Sequence, residues 1–161
     1  MSEDEKERTK DIRDIKVGEV YEIMVGKPAL VYEDAILKDA IEAMTENLTS
    51  RKVYVVDHEG YLKGVITTET MLRQVGYKLG VRETGVVSWI KYVSGILKDN
   101  VTDYMEKNPV TVTDNHKVLD ALRKMVEYHL NDLPVVDEEG KIVGELLSIE
   151  LILEAKKAFK E

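Results

Sequence analysis

The spacing of apolar residues changes along the chain in a regular order. Residues 35–48 carry an apolar side chain at every third or fourth position, which predicts one buried face of a helix. Residues 53–56 form a continuous apolar run that predicts a buried strand. An acidic turn with Gly60 follows, and then a second apolar run at 61–67 leads into another helix. The pattern therefore predicts a helix, a β-hairpin and a second helix.

A shorter apolar pattern precedes this block. Residues 15–24 predict a lead-in helix of about two turns, which Pro28 ends because the residue before a proline is disfavoured in a helix. Residues 29–32 predict a short strand, and Glu33 and Asp34 offer an N-cap for the next helix. The complete unit has the order helix, strand, helix, strand, strand, helix.

The same order of elements recurs in the second half of the chain. Residues 101–105 match residues 20–24, and Pro109 follows Pro28 at a separation of 81. Three hairpin positions recur at a separation of 80, namely Asp57 with Asp137, Gly60 with Gly140, and Gly64 with Gly144. A proline, an aspartate and two glycines do not stay in register by chance, so the chain contains an internal duplication.

The duplication divides the chain into four parts. Residues 1–14 are dense in charge and predict a flexible tail. Residues 15–75 and 101–161 are the two repeats, and residues 76–100 predict a helical insert between them. The apolar residues of the insert lie on two neighbouring faces: Val86, Ile90, Val93 and Leu97, and Trp89, Tyr92 and Ile96. This wide apolar surface must be covered, either by the same chain or by a partner subunit.

Two kinds of residue in the hairpins invite a functional interpretation. Gly64 and Gly144 lie inside predicted strands, where a missing side chain often marks the close approach of a ligand or of another backbone. Asp57 and Asp137 end apolar runs directly before the turns. We interpret them as turn residues rather than catalytic acids.

Composition and charge narrow the class of protein. With 161 residues and 43% hydrophobic content, the chain can form a substantial core. No apolar run approaches the ~18–20 residues of a membrane span, and the charged N-terminus lacks the apolar centre of a signal peptide, so we expect a cytoplasmic protein. The net charge of -8 makes nonspecific nucleic-acid binding an unfavourable interpretation.

Catalytic and metal-binding motifs are missing from the sequence. It has no Walker glycine loop, no Gly-x-Ser-x-Gly, no His-Glu-x-x-His and no cysteine. His58, His116 and His129 are scattered, without a second ligand at metal-binding spacing. The two repeats leave no room for a separate catalytic domain. We therefore expect no enzyme activity, no metal and no cofactor.

The repeated hairpins resemble those of the cystathionine-β-synthase (CBS) domain, which occurs in tandem pairs called Bateman modules. The most specific motifs are Val-Tyr-Val-Val-Asp-x-x-Gly-x-x-x-Gly at 53–64 and Leu-Pro-Val-Val-Asp-x-x-Gly-x-x-x-Gly at 133–144. The resemblance covers residues 17–75 and 101–157. It implies an α+β, sandwich-like fold of two pseudo-symmetric repeats packed through their sheets, each a three-stranded sheet with two helices. It also implies a homodimer and an adenosine-type ligand in clefts between the repeats.

In such modules one repeat holds adenine and ribose with its first strand and the loop before its hairpin. The other repeat contributes Gly-x-x-Ser/Thr-x-x-Asp, whose carboxylate can accept hydrogen bonds from both ribose hydroxyls. In this chain Thr67 keeps the hydroxyl but Thr70 replaces the aspartate. In the second repeat Leu147 loses the hydroxyl, whereas Glu150 keeps a carboxylate. Neither stretch follows the family pattern completely.

Carried over to this chain, the resemblance implies two ligand sites of unequal quality. The favoured site has both a phosphate clamp and a ribose acceptor and consists of Ala29, Arg51, Lys52 and Glu150. The second site lacks both charges, is expected to be empty or to bind something less anionic, and consists of Val110, Asn131, Asp132, Thr67 and Thr70.

Structural roles also explain five of these polar residues. Glu150 is also explained as an acid at a helix N-terminus, and Thr67 and Thr70 as helix-capping hydroxyls. Arg51 and Lys52 are also explained as solvated loop charges. The sequence does not decide between these roles and ligand binding.

Two functions of different classes follow. The first is a stand-alone regulatory module that binds AMP, ADP, ATP or S-adenosylmethionine and signals to a partner protein. The alternative is a ligand-independent dimeric scaffold that docks a partner on the insert at 76–100.

Overall fold

The computed structural model describes residues 11–21, 27–46, 51–79 and 85–158. The β-strands in these ranges are β1 Leu30–Tyr32, β2 Lys52–Val56, β3 Leu62–Thr67, β4 Glu106–Lys107, β5 Val112–Thr113, β6 Asp132–Val136 and β7 Ile142–Leu147. The α-helices are α1 Leu37–Glu46, α2 Thr68–Leu79, α3 Val86–Ile96, α4 Val118–Glu127 and α5 Ser148–Ala158. The helices of the described ranges are all too short or too polar to cross a membrane. The predicted apolar positions Ile23, Met24 and Leu48 lie outside these ranges.

The chain divides into two compact units, and each is assembled from separate stretches of sequence. One, the repeat-one unit, comprises Lys27–Pro109 and Glu138–Ile142. The other, the repeat-two unit, comprises Met1–Gly26, Val110–Asp137 and Val143–Glu161. The predicted boundaries describe the duplication of the sequence, whereas these units describe which segments pack together.

The repeat-one unit contains a sheet with the strand order β1-β2-β3-β4. Strand β1 is parallel to β2, while β2 pairs antiparallel with β3 and β3 with β4. Helix α1 packs on β1 and β2, and α2 packs on β3. The predicted helix and hairpin are therefore confirmed, but the sheet gains a fourth short strand because the segment after the insert returns to the edge of β3.

The core of the repeat-one unit contains the predicted apolar face of α1. Leu37, Ala40 and Met44 are buried at spacings of three and four residues. The other members of this cluster come from the sheet, the end of α3 and the segment after it: Val31, Val53, Val55, Ile66, Ile96, Val101 and Tyr104.

The repeat-two unit repeats this arrangement with a sheet in the order β5-β6-β7. Strand β5 is parallel to β6, and α4 packs on β6 and on α5. Its core contains four residues from the start of the chain together with residues of the second repeat: Ile15, Val17, Val20, Tyr21, Val112, Val118, Ala121, Met125, Leu133, Val135, Leu146 and Leu151.

The turn chemistry of the hairpins agrees with the sequence. Gly60 and Gly140 both have φ of 93°, a conformation that residues with a side chain rarely adopt. The Asp57 carboxylate accepts the amide hydrogens of Glu59 and Tyr61 at 3.0 and 2.9 Å. Its partial desolvation raises the pKa of Asp57, but these bonds and the nearby Lys63 ammonium outweigh that effect, and the net pKa is lowered. Asp57 is a turn residue, as predicted.

The segments that lead into the two repeats form 3-10 turns rather than the predicted two-turn helix. These turns span Val17–Glu19 and Val101–Asp103, and Val17 and Val101 are both fully buried. The lead-ins therefore correspond at a separation of 84, and the predicted match of residues 20–24 with 101–105 is wrong by three positions. The apolar spacing misled the prediction because it fits either register.

Residues of the predicted tail that lie in the described ranges also adopt a turn. Asp11 caps a 3-10 turn at Ile12–Asp14, and Ile12 packs against the core of the repeat-two unit. Side-chain hydrogen bonding with Arg13 lowers the pKa of Asp11 to about 2. Ile12 anchors this segment to the core, although the surrounding charged residues led to the prediction of a flexible tail.

Backbone carbonyls cap the first turn of α1 in place of the predicted Glu33 and Asp34. The amides of Leu37 and Lys38 donate to the carbonyl oxygens of Asp99 and Leu97 at 2.8 and 3.0 Å. Asp39 also accepts from the Ile36 amide at 3.2 Å. The prediction of an N-cap at Glu33 or Asp34 is therefore wrong, because carbonyls of the segment after α3 accept these amide hydrogens.

Helix α4 begins in the same way. The Val118 amide donates to the Ile15 carbonyl at 2.9 Å, and Lys16 forms an isolated bridge with Lys117. A matching bridge joins Ile36 and Asn100 at the start of α1. In each unit the lead-in segment completes the hydrogen bonding of a helix N-terminus.

Glycine inside β3 and β7 makes room for the lead-in segments. A Cβ atom at Gly64 would lie 2.6 Å from Met105 Sδ and 2.9 Å from the Glu106 carbonyl oxygen. A Cβ atom at Gly144 would overlap the Tyr21 ring. The close approach predicted for these glycines is therefore made by neighbouring protein atoms.

We expect Gly144→Ala to lower the free energy of unfolding by roughly 1–3 kcal/mol, because the Tyr21 ring must shift to accept the added carbon. Denaturant-induced unfolding measures this difference. Gly76→Ala is the control: Gly76 lies in α2 with open space around it, so alanine should stabilise by roughly 0.5–1 kcal/mol. Equal stabilisation by both substitutions would contradict the packing at Gly144.

Candidate ligand-binding site

A cleft in the repeat-one unit lies between the start of β1 and the end of α1. It has a volume of about 270 Å³ and is lined by Lys27, Pro28, Ala29, Leu30, Ala43 and Glu46. Four of its six lining residues are apolar, and Lys27 and Glu46 add one basic and one acidic side chain. The cleft therefore combines apolar side chains with one cationic and one anionic group.

Local structure explains why this cleft is open. Pro28 and Ala29 directly precede β1, and the Ala29 carbonyl accepts the Tyr54 amide at 2.9 Å, which fixes it against β2. On the opposite wall, position 43 of α1 is an alanine, whose short side chain leaves space. Ala29 is thus the predicted site residue that the structure places at a cleft wall.

Arg51 and Lys52 lie where β2 begins. Arg51 is exposed and has φ of 57°, in the left-handed region that few residues with a side chain occupy. Lys52 is half-buried and is the register partner of Thr67 on β3. Both positively charged side chains therefore lie at the start of β2, the strand that pairs with β1.

Glu150 is fully buried and caps its own helix. It is the third residue of α5, and its Oε2 accepts the Leu147 amide at 2.8 Å. This is one half of a capping box, in which an acid at the third helical position bonds to the N-cap amide. The structural role that the sequence left open for Glu150 is therefore present.

Thr67 and Thr70 provide the other half of the same motif at the start of α2. The Thr67 Oγ1 atom accepts the Thr70 amide at 3.0 Å, and the two hydroxyls lie 2.6 Å apart. A hydroxyl at the N-cap that bonds to the third amide is the complementary part of a capping box. Each repeat has kept one of the two hydrogen bonds.

The remaining predicted residues lie in the repeat-two unit. Val110 is half-buried against the core, and Asn131 is exposed, with its carbonyl accepting the Ser148 amide at 2.8 Å. Asp132 begins β6 and is buried. These positions correspond to Ala29, Arg51 and Lys52 in the duplicated sequence.

Each predicted site combines residues from both units. Within the repeat-one unit the structure places Ala29 before β1, Arg51 and Lys52 at the start of β2, Thr67 at the end of β3 and Thr70 in α2. Within the repeat-two unit it gathers Val110, Asn131, Asp132 and Glu150. The pairing of residues from one unit with those of the other stays a prediction.

Sequence reasoning missed several residues of the cleft, among them Lys27, Ala43 and Glu46. A signal for Ala43 was present, because position 43 corresponds to Lys124 at the separation of 81 that relates α1 to α4. An alanine opposite a lysine at equivalent positions indicates that the two repeats differ there in the space they leave.

Comparison with known protein families identifies the family of this chain. The model of the CBS domain matches residues 17–77 and again residues 101–156. The chain belongs to the CBS domain family. The two matches begin at the two lead-in segments, in agreement with the register that the 3-10 turns define.

Curated relatives of this CBS-domain chain include both short and long proteins. An uncharacterised protein of Methanocaldococcus jannaschii is 27% identical over 138 residues, and the match covers 75% of this chain and 82% of that protein. An L-aspartate semialdehyde sulfurtransferase of the same organism is 33% identical over 64 residues, but the match spans 13% of it and 38% of this chain. The similarity to that enzyme is confined to a small part of its length.

Solved structures share the fold of the CBS pair. A CBS domain-containing protein of Thermotoga maritima superposes with a TM-score of 0.70 at 26% identity, covering 92% of this chain and 99% of that one. A crystal structure of CBSX2 in complex with AMP has a TM-score of 0.66 at 25% identity, covering 91% of this chain and 99% of that chain. The predicted α+β fold with two repeats is therefore confirmed.

We expect Glu150→Ala to lower the free energy of unfolding by roughly 1–3 kcal/mol, because the buried Leu147 amide loses its acceptor. Glu150→Gln keeps an acceptor oxygen and should remain much closer to wild type. Likewise, Thr67→Ala should cost about 1 kcal/mol and Thr67→Ser much less. Chemical denaturation compares the four variants, and equal losses for alanine and glutamine at position 150 would refute the capping role.

Proposed function

We propose that this chain is a regulatory module that binds an adenosine-type ligand, AMP, ADP, ATP or S-adenosylmethionine, and signals to a partner protein. The observation that carries this proposal is the open cleft at Ala29, the position that the family resemblance assigns to adenine and ribose. The similarity to CBSX2, whose crystal structure contains AMP and whose chain is matched over 99% of its length, supports the choice of ligand.

The chemistry of the cleft suits a nucleobase. Pro28, Leu30 and Ala43 offer apolar contact to the faces of a flat ring, and Lys27 and Glu46 offer a donor and an acceptor for its edge. A volume of about 270 Å³ lies just below the ~300–1,000 Å³ of small-molecule pockets. The cleft therefore suits the base, while ribose and phosphate require further residues.

Arg51 and Lys52 are the proposed phosphate ligands. Their charges stand at the start of β2, which pairs with β1 and hence with the wall of the cleft. Hydrogen bonds from guanidinium and ammonium groups to phosphate are charge-assisted and are the stronger kind. Arg51 is exposed, so its guanidinium is accessible to a ligand from solvent.

Glu150 is the proposed acceptor for the ribose hydroxyls. Its carboxylate is buried and accepts the Leu147 amide. Ribose binding by Glu150 would therefore have to coexist with capping of α5. Glu150→Gln is the informative substitution, because it retains the capping acceptor while removing the charge.

Adenine nucleotides should raise the melting temperature of the wild-type chain. A ligand at ~100 times its dissociation constant adds about 2.7 kcal/mol of stability, which corresponds to a shift of several degrees for a chain of this size. A thermal-shift series with AMP, ADP, ATP, S-adenosylmethionine and adenosine measures the effect. A flat response to every member of the series would exclude the proposed function.

The Arg51→Ala, Lys52→Ala double variant localises the phosphate. It should weaken AMP binding by roughly tenfold or more while leaving adenosine affinity almost unchanged, since charged hydrogen bonds contribute ~1.5–3 kcal/mol each. The matched control is Arg73→Ala with Lys98→Ala, which removes the same charge from exposed positions of the same unit. Equal weakening in both pairs would indicate a nonspecific charge effect.

A second candidate function is a dimeric protein-interaction scaffold that uses the insert. The repeat-one unit covers the end of α3, where Ile96 is buried and Tyr92 packs against the core. The first half of α3 leaves large apolar side chains exposed, namely Val86, Val87, Trp89 and Ile90. An exposed apolar face of this kind favours a protein partner or a second subunit.

The two candidates are separated by Trp89→Ser with Ile90→Ser. If the insert is the interface, light scattering should show a lower particle mass while adenosine and AMP binding persist. Leu72→Ser is the control, because Leu72 is an exposed apolar residue of α2, outside the insert. An unchanged mass, or an equal change in the control, would remove the insert from the scaffold hypothesis.

A further inference from the structure

The second repeat contains the counterpart of the open cleft, but one position differs in a way that changes its shape. Helices α1 and α4 correspond at a separation of 81 along their full length. Ala43 on α1 therefore corresponds to Lys124 on α4, and Leu30 corresponds to Thr111. The helix contributes the methyl group of Ala43 to the cleft wall in the first repeat, and the long cationic side chain of Lys124 at the same position in the second.

Lys124 is directed at the segment immediately before β5. Its Nζ atom donates to the Thr111 carbonyl oxygen at 2.8 Å, and the side chain is half-buried. In the first repeat the corresponding wall residues, Leu30 and Ala43, line the open cleft. The lysine thus lies across the space that the first repeat leaves open.

The strand that pairs with this segment also differs between the two repeats. Tyr54, which donates its amide to the Ala29 carbonyl, corresponds to Pro134, and proline has no amide hydrogen. Leu30 is already paired within β1, whereas β5 begins one position later, at Val112. The Val110 carbonyl, which corresponds to that of Ala29, therefore receives no amide hydrogen from position 134, and Lys124 holds the same segment at the next carbonyl, that of Thr111.

We propose that Lys124 closes the second adenosine cleft, so that each chain carries one open site, in the repeat-one unit. This inference rests on the proposed function, since it states which of two duplicated clefts can take the ligand. A ligand entering the second cleft must break the bond between Lys124 and Thr111. For a charged donor that competition weakens binding by roughly ten- to a hundredfold.

The test counts bound ligand per chain by equilibrium dialysis with adenosine and, in parallel, with AMP. Adenosine has no phosphate, so the loss of a positive charge at position 124 does not bias the comparison. We expect one adenosine per wild-type chain and two per chain in Lys124→Ala. Lys124→Arg keeps a cationic donor of similar length and should remain at one.

The reciprocal variant is Ala43→Lys, which places the same side chain in the first cleft and should abolish adenosine binding. Circular-dichroism melting of every variant verifies that it is folded. If Ala43→Lys does not fold, Ala43→Ser and Ala43→Gln provide a graded series, in which affinity should fall as the side chain lengthens.

Every outcome decides the inference. A Lys124→Ala chain that binds no more adenosine than wild type overturns it, and so does a wild-type chain that already binds two. Binding by Lys124→Ala but not by wild type would support closure by Lys124 while contradicting the proposed site at Ala29. Absence of binding in both chains would contradict the proposed function and the inference together.

Discussion

The hydrogen bonds between the helix N-termini and the lead-in segments are the interaction on which the rest of the structure depends. The first amides of a helix have no partner within the helix, and burying them unpaired is costly. Here carbonyls at Leu97 and Asp99 serve α1, and the carbonyl of Ile15 serves α4. These bonds fix the lead-ins against the sheets, and the glycines of β3 and β7 are needed so that the lead-ins fit.

Much of this fold can be predicted from the sequence because the duplication supplies two independent readings of each element. The apolar face of α1, the paired strands and the turn glycines were all predictable, since local spacing and turn chemistry determine them. The register of the lead-ins was not. Val17, Val20 and Tyr21 have the same spacing as Val101, Tyr104 and Met105, and only the tertiary hydrogen bonds show which residues correspond.

The candidate site was predictable to a smaller extent, because burial determines the role of its polar groups. The sequence identifies Glu150 as an acid at a helix start but does not show that it is buried and bonded to the Leu147 amide. The split capping box offers a physical reason for the irregular family motif: Thr67 and Glu150 each retain the atom that stabilises their own helix. Ligand binding and helix capping therefore draw on the same side chains.

The discontinuous units also have a consequence for the order in which the chain folds during synthesis. Val17 is synthesised before His116, yet its amide bonds to the His116 carbonyl, 99 positions later in the sequence. Contacts between such distant segments carry a cost in loop closure and slow the search for the native state. The lead-in turn therefore cannot form its hydrogen bonds until the second repeat has been synthesised. Val17 and Tyr21 stay exposed until the strands that cover them are available.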